Sequence, residues 1–155
     1  MLTAFSILLS RHSQQNDIRI GTPVANRQRL ETQSLIGFFV NTLVLRVYLS
    51  ARPSFNELIT QVHQTVLEAQ GHQDLPFEQL VTILAPERSL GHSPLFQVMF
   101  TLDNNVSQPM EPLQGLAISG VESEGTTAKF DLSLHISQEE TGILACAFEY
   151  NIDLF

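Results

Sequence analysis

The 155-residue sequence has few of the residues that disulfides, zinc sites and membrane spans require. Cys146 is its only cysteine, which excludes an internal disulfide and a cysteine-ligated zinc site. No apolar run approaches the roughly 20 residues that cross a bilayer. These absences favour a cytoplasmic protein without a membrane segment. We expect Cys146 to be a small buried residue in an apolar strand.

Positive charge is scarce in the last third of the chain. Residues 101–155 carry nine acidic side chains against Lys129 alone, whereas acids and bases balance over residues 1–100. The acidic end therefore accounts for the whole net charge of −8. Because such a surface repels phosphate backbones, nucleic-acid binding is disfavoured. We interpret these acids as solvated sheet surface in preference to a docking patch for a basic partner.

The sequence also lacks the common catalytic motifs. It has no G-x-S-x-G elbow, no phosphate-binding glycine loop and no HExxH pair, and no two histidines stand four residues apart. We therefore expect no metal site. His63 and His135 lie on polar faces and are interpreted as exposed, and Ser93 before Pro94 as part of a turn. On residues alone, we predict a domain without a self-contained active site.

Hydrophobic periodicity predicts an α/β (α+β) fold, a mixed sheet with helices packed on it. Helical spacing begins at Leu2, and alternation predicts strands at Ile18–Ile20 and from Phe96 to Leu102. The first of these strands is expected to stop at a turn over residues 21–23. The aliphatic run 43–49 predicts a buried strand. The most regular alternation predicts a hairpin of residues 130–136 with Ile143–Tyr150.

Two helices are predicted in the middle of the chain. Ser54 and Glu57 form a capping box at the start of the first, and Gly71 is placed to end it in a left-handed cap. The second begins near Pro76, where a missing N–H costs nothing, with Asp74 and Glu78 at its positive dipole end. Its buried face is predicted to be Phe77, Leu80, Val81 and Leu84, and Pro86 to end it. A loop over 103–112 and a weaker strand over 113–121 are predicted beyond it.

Five motifs occur in one order along the chain: Ile20–Arg27, Ile36–Leu43, His72–Val81, Arg88–Phe100 and Lys129–Leu132. In this order they resemble the later motifs of the condensation domains of nonribosomal peptide synthetases. The resemblance implies a chloramphenicol acetyltransferase-like fold, of which residues 1–155 would be a partial domain, the C-terminal half. Both ends of the chain, at Met1 and Phe155, look like boundaries within a longer polypeptide.

In that family an amine on one carrier protein attacks a thioester on another, and a His-His-x-x-x-Asp-Gly motif supplies the proton-transfer histidine. This sequence has no adjacent histidines, so we expect no catalytic residue here and no activity of the chain alone. The implied partners are the missing N-terminal half, peptidyl carrier proteins and a neighbouring adenylation domain. No cofactor is expected to bind directly, because phosphopantetheine is carried by the carrier proteins.

The resemblance also implies roles for single residues. Asn41 and Gln73 either satisfy nearby backbone groups or face the substrate tunnel. Arg27 is interpreted as a buried guanidinium that ties a loop to a strand, in preference to a substrate contact, and Asp74, Pro76 and Phe77 as structural motif residues. The crossover to the other half is expected in residues 103–112 or in the stretch to Thr127. An exposed tunnel wall would leave an apolar patch that favours self-association.

Two other functions remain open at this point. The chain could be a noncatalytic module that docks carrier or partner domains, or a remnant of a coenzyme A-dependent acyltransferase. The second of these also needs a histidine that this sequence does not supply.

Overall fold

The computed structural model describes residues 1–49, 53–84, 93–103, 127–138 and 142–155. The chain divides into two compact units, Met1–Phe100 and Thr101–Phe155. The described helices are α1 Leu2–Ser13, α2 Leu30–Gln33, α3 Phe55–Gly71 and α4 Phe77–Leu84. The described strands are β1 Asp17–Val24, β2 Asn41–Tyr48, β3 Val98–Asp103, β4 Leu132–Gln138 and β5 Leu144–Tyr150.

The first unit is built on a mixed sheet in the order β2-β1-β3, to which β3 contributes its residues up to Phe100. β1 pairs antiparallel with β2 along its full length, from Asp17 opposite Tyr48 to Val24 opposite Asn41. It pairs in parallel with β3 at Ile20 and Gly21. Helix α3 packs against β2, and α1 packs against β1 and α3. The predicted α/β class, a mixed sheet with helices packed on it, is confirmed.

The core of this unit lies between the sheet and the two long helices. The sheet contributes buried aliphatic side chains from alternate positions, and α1 and α3 supply the facing residues: Ile18, Ile20, Leu43, Leu45, Val47, Leu2, Phe5, Leu58 and Val62. Arg46 and Tyr48, on the other side of β2, are exposed. The prediction of a fully buried strand over 43–49 is therefore wrong. β2 has one buried face, as in a sheet covered by helices on one side.

The turn predicted at residues 21–23 is also wrong. β1 continues through Gly21, Thr22 and Pro23 to Val24. Proline is tolerated here because the parallel ladder with β3 involves only Ile20 and Gly21, and because position 23 falls at a non-hydrogen-bonded pair of the antiparallel ladder with β2, counted from the bond between the Leu49 N–H and the Asn16 carbonyl.

Glycine at position 21 has a packing reason. A Cβ atom built on Gly21 would lie 2.3 Å from the ring of Phe96, which is fully buried. Phe96 precedes β3 and lies against the backbone of β1 at this point. The contact was not predicted from the sequence, although a glycine inside a strand is a recognised sign of close approach.

The helices follow the predictions in part. The capping box is complete: the Glu57 N–H donates to Ser54 Oγ, and Glu57 Oε2 accepts from the Ser54 N–H at 2.8 Å. The left-handed cap at Gly71 is wrong, because α3 includes Gly71 and ends at His72 with φ −115°. The buried face predicted for α4 is also wrong: Phe77, Leu80 and Val81 are only half-buried and Leu84 is exposed.

The second unit contains the predicted hairpin. β4 and β5 pair antiparallel from Leu132 opposite Tyr150 to Gln138 opposite Leu144. Leu134 and Ile136 are buried, but every residue of β5 is exposed. Cys146, which lies on β5, is therefore exposed, and the prediction that it is buried is wrong.

The alternation predicted for residues 96–102 holds only in part. Met99 and Phe100 are both buried in β3 while Leu102 is exposed, so burial does not follow strict alternation. Of the loop predicted over 103–112, only Asp103 is described, and it is the last residue of β3. The rest of that loop, Pro86 and the strand predicted over 113–121 fall outside the described residues. Within the described ranges, no helix has both the length and the apolarity that crossing a bilayer requires.

Candidate functional site

Three of the predicted motif segments, Ile20–Arg27, Ile36–Leu43 and His72–Val81, meet at a cleft in the first unit. The cleft has a volume of about 260 Å³. One wall is the segment that enters β2, and the other is the turn that enters α4. The lining combines aromatic rings, two amides and two carboxylates: Asn26, Phe38, Phe39, Val40, Asn41, Thr42, Asp74, Pro76, Phe77 and Glu78.

Asn41 joins the two walls. Its side-chain Nδ2 donates to the backbone carbonyl oxygens of Gln73 and Leu75, both at 2.8 Å. Its Oδ1 accepts from the backbone N–H of Phe77 at 3.1 Å. Of the two roles considered for Asn41, the structure shows that it binds backbone groups, and the residue also lines the cleft. That the cleft belongs to a substrate tunnel stays a prediction.

Phe77 connects the same wall to the sheet. Its ring packs edge-on against the ring of Phe96, with centroids 5.7 Å apart. Since Phe96 lies on Gly21, an unbroken series of contacts runs from β1 through Phe96 and Phe77 to Asn41 on β2. The start of α4 is thus held to both strands.

Arg27 organises the opposite wall. Its guanidinium donates to the carbonyl oxygens of Thr32, Leu35 and Gly37 and lies 4.3 Å from the centre of the Phe39 ring. The guanidinium suits this arrangement because its donors are spread over two nitrogens and its flat face can lie on an aromatic ring, whereas a lysine ammonium is a single point charge without such a face. Arg27 is half-buried, not buried as predicted, and it ties α2, at Thr32, to the loop that follows it instead of joining a loop to a strand. The Phe39 contact was not predicted.

The other motif residues occupy the turn before α4. The Gln73 side chain turns back to donate to the carbonyl of Gln70 at 2.9 Å, while its own backbone carbonyl receives Asn41. The carbonyl of Pro76 accepts from the N–H groups of Gln79 and Leu80, so it starts the helix. Asp74 is exposed at the mouth of the cleft.

The described lining of the cleft offers amides, carboxylates and aromatic rings, but no histidine that could act as a general base. His63 and His135 are exposed, as predicted. Among the described residues, no group of three or more histidine, cysteine or acidic side chains is arranged to hold a metal ion. Two carboxyl groups with a lowered pKa lie outside the lining of the cleft. A hydrogen bond from Arg46 lowers the pKa of Asp17, and one from Ser54 lowers the pKa of Glu57.

Comparison with known proteins places the fold and these motifs in one family. A family model described as Condensation domain matches residues 1–155. One of the linear gramicidin synthase proteins of Brevibacillus parabrevis is 50% identical to the whole chain, which spans 3% of that protein. Malpinin synthetase of Mortierella alpina is 48% identical over the whole chain, which spans 2% of it.

Solved structures agree with this assignment. The X-domain solved in complex with OxyB from teicoplanin biosynthesis is 28% identical with a TM-score of 0.85, and the match covers 99% of this chain and 34% of that one. A four-domain nonribosomal peptide synthetase bound to AMP and glycine shares the fold, with 24% identity, a TM-score of 0.87 and 13% of its chain covered. The chain belongs to the condensation-domain family of nonribosomal peptide synthetases and corresponds to part of such a domain.

Proposed function

We propose that this chain forms the cleft-bearing part of a condensation domain that joins two carrier-bound substrates through an amide bond. In that reaction an acceptor amine attacks the carbonyl carbon of a donor thioester, the carbon–sulfur bond breaks, and the thiol leaves with a proton. The observation that supports this proposal is the cleft itself. It is built from three family motif segments, yet no histidine lies among its described lining residues.

The proton-transfer histidine would then come from the N-terminal half of the domain, where the family carries its paired histidines. The thioesters would be held on phosphopantetheine arms of peptidyl carrier proteins, and an adenylation domain would load them. These partners are consistent with the relatives, which are peptide synthetases of which the chain spans only a few per cent.

A segment-replacement experiment tests the proposal. Residues 1–155 replace the matching segment of the linear gramicidin synthase protein to which they are 50% identical. Amide formation between loaded carrier proteins is then followed by mass spectrometry. We expect product from the hybrid domain and none from residues 1–155 alone. Lack of product from a folded hybrid, or turnover by the chain alone, contradicts the proposal.

A docking function without catalysis is the second candidate. One observation favours it: a structural neighbour with 28% identity, the teicoplanin X-domain, was solved in complex with another protein, OxyB. Titration of residues 1–155 with carrier proteins separates the two candidates. A docking module binds more tightly than about millimolar, whereas part of a tunnel wall binds more weakly than that.

A further inference from the structure

We infer that Asn41 is a positioning residue for the condensation reaction, which sets the shape of the cleft without reacting itself. This inference rests on the function proposed above. It concerns the three hydrogen bonds that the Asn41 carboxamide makes to Gln73, Leu75 and Phe77.

The backbone of Asn41 is fixed independently of these bonds. Asn41 is the first residue of β2 and stands opposite Val24 at the end of the β1–β2 ladder. The ladder therefore holds the Cα of Asn41 in place, and the side chain reaches from this fixed point to the facing wall. The position of that wall relative to the sheet depends on where the carboxamide can make its bonds.

The carboxamide also supplies a hydrogen-bond acceptor for a backbone N–H at the start of α4. The N–H of Phe77 is at the first residue of α4, where backbone donors have no partner within the helix. Asn41 Oδ1 accepts from this N–H across 36 residues of sequence. It thus acts as an N-cap supplied by another element. The same amide holds the two carbonyls just upstream, so it fixes both the turn and the helix that follows it.

Only an asparagine meets all three requirements. Both Nδ2 hydrogens are used, and reversing the amide would place its oxygen 2.8 Å from two carbonyl oxygens. An aspartate keeps the acceptor for Phe77 but offers no donors when ionised, so it repels the carbonyls of Gln73 and Leu75. A serine cannot span the three groups, and a glutamine is longer by one methylene.

The position of the bonded segment matters for function because the backbone groups that Asn41 binds belong to the same segment as residues that line the cleft. Asp74, Pro76, Phe77 and Glu78 belong to the segment that it fixes, and Phe39 and Val40 lead directly into Asn41. Displacement of reacting groups by about an ångström can reduce an enzymatic rate on the order of 100-fold. Loss of the carboxamide should therefore reduce turnover even in a domain that remains folded.

The test compares Asn41→Asp with wild type in the hybrid condensation domain, using Asn56→Asp as the matched control. Asn56 is exposed in the first turn of α3, so the same chemical change there should leave amide formation unchanged. Rates are measured at a temperature where circular dichroism shows each variant fully folded. We expect Asn41→Asp to lower the rate by roughly 10- to 100-fold near neutral pH.

The pH dependence of the rate distinguishes a positioning role of Asn41 from an effect on stability alone. In Asn41→Asp, the protonated form of the introduced carboxyl can donate to one carbonyl, so the rate relative to wild type should rise as the pH falls. The carboxyl groups of Asp74 and Glu78 also line the cleft and are present in both proteins, which is why the ratio of the two rates is the quantity measured. An unchanged rate in Asn41→Asp, or a loss that only follows the unfolded fraction, overturns the inference. An inactive wild-type hybrid overturns the proposed function and the inference with it.

Discussion

The antiparallel strand pairs β1–β2 and β4–β5 are similar in sequence pattern but differ in what covers them. In β2 the apolar positions Leu43, Leu45 and Val47 are buried, since α3 packs on that face. In β5 the apolar positions Leu144, Phe148 and Tyr150 are about half exposed. The difference teaches that alternation predicts a strand and its register, while burial depends on which element packs against it.

The largest effect on stability is expected at Phe96, whose ring packs on Gly21 of the β1–β2 pair. Phe96→Ala should lower the free energy of unfolding by about 3–5 kcal/mol, because Phe96 is fully buried. Phe148→Ala on β5, where the side chain is 54% exposed, should cost about 1 kcal/mol or less. Urea denaturation of both variants measures the contrast. Equal losses would show that the two strand pairs are not packed differently.

Substitution of Gly21, on which the Phe96 ring packs, is a second test of how tightly the β1–β2 pair is packed. Gly21→Ala places a methyl group within 2.3 Å of the Phe96 ring and should destabilise the protein by about 1–3 kcal/mol. Gly71→Ala is the control, since a Cβ built on this last residue of α3 would meet no atom within 4 Å. That change should stabilise the protein by at most about 0.5–1 kcal/mol, the gain expected for a glycine in the middle of a helix. Thermal melts of the two variants should therefore shift in opposite directions, and a shift in the same direction would contradict the packing described.

The helix that covers β2 begins at the capping box. Ser54→Ala removes the oxygen that accepts the Glu57 N–H, and should cost about 0.5–2 kcal/mol. Since α3 packs on β2, amide exchange in β2 should speed up more than in β5. Hydrogen exchange read by mass spectrometry gives both rates. Equal acceleration in β2 and β5 would mean that α3 is not what protects the first pair.

The smallest effect is expected at the surface of β1–β2. Arg46 donates to both carboxylate oxygens of Asp17 at 2.9 Å, and this hydrogen bonding lowers the pKa of Asp17 from its ordinary value of 3.8. A lowered pKa in the folded state stabilises the protein above the unfolded pKa, and this stabilisation is lost as the pH falls through the folded value. Both side chains are well exposed, 56% for Arg46 and 38% for Asp17, so solvent and salt weaken the pair.

Asp17→Asn should therefore cost a small amount of stability at neutral pH and nothing in acid below the lowered pKa. Urea midpoints for wild type and variant, compared at about pH 7 and at successively lower pH, measure the difference. Addition of about 1 M salt should reduce the neutral-pH difference. If the stability difference between wild type and Asp17→Asn grew as the pH fell, the ion pair between Arg46 and Asp17 would not be its cause.

Local features of the fold were predictable from sequence and distant contacts were not. The Ser54–Glu57 capping box was predicted completely because its partners lie three residues apart. The β4–β5 hairpin was predictable for the same reason. The exposure of Cys146 was not, because it depends on what packs against β5 and not on the strand pattern.

The candidate site shows the same limit. Asn41 was identified because a polar residue inside an apolar motif needs partners, and bonding to nearby backbone was one of the two options considered. Its partners could not be named, since they lie 32 to 36 residues away across two elements. The packing of Phe96 on Gly21 joins residues even farther apart in sequence.

The central claim is that one carboxamide joins the β1–β2 sheet to the start of α4 and so forms the cleft. Hydrogen exchange at the backbone amide of Phe77, measured by NMR in the wild-type chain and in Asn41→Ala, tests it most directly. The account predicts slow exchange in wild type, because Asn41 Oδ1 accepts from this N–H, and a large acceleration in the variant. Rapid exchange of the Phe77 amide in wild type, or equal protection in both proteins, would contradict it.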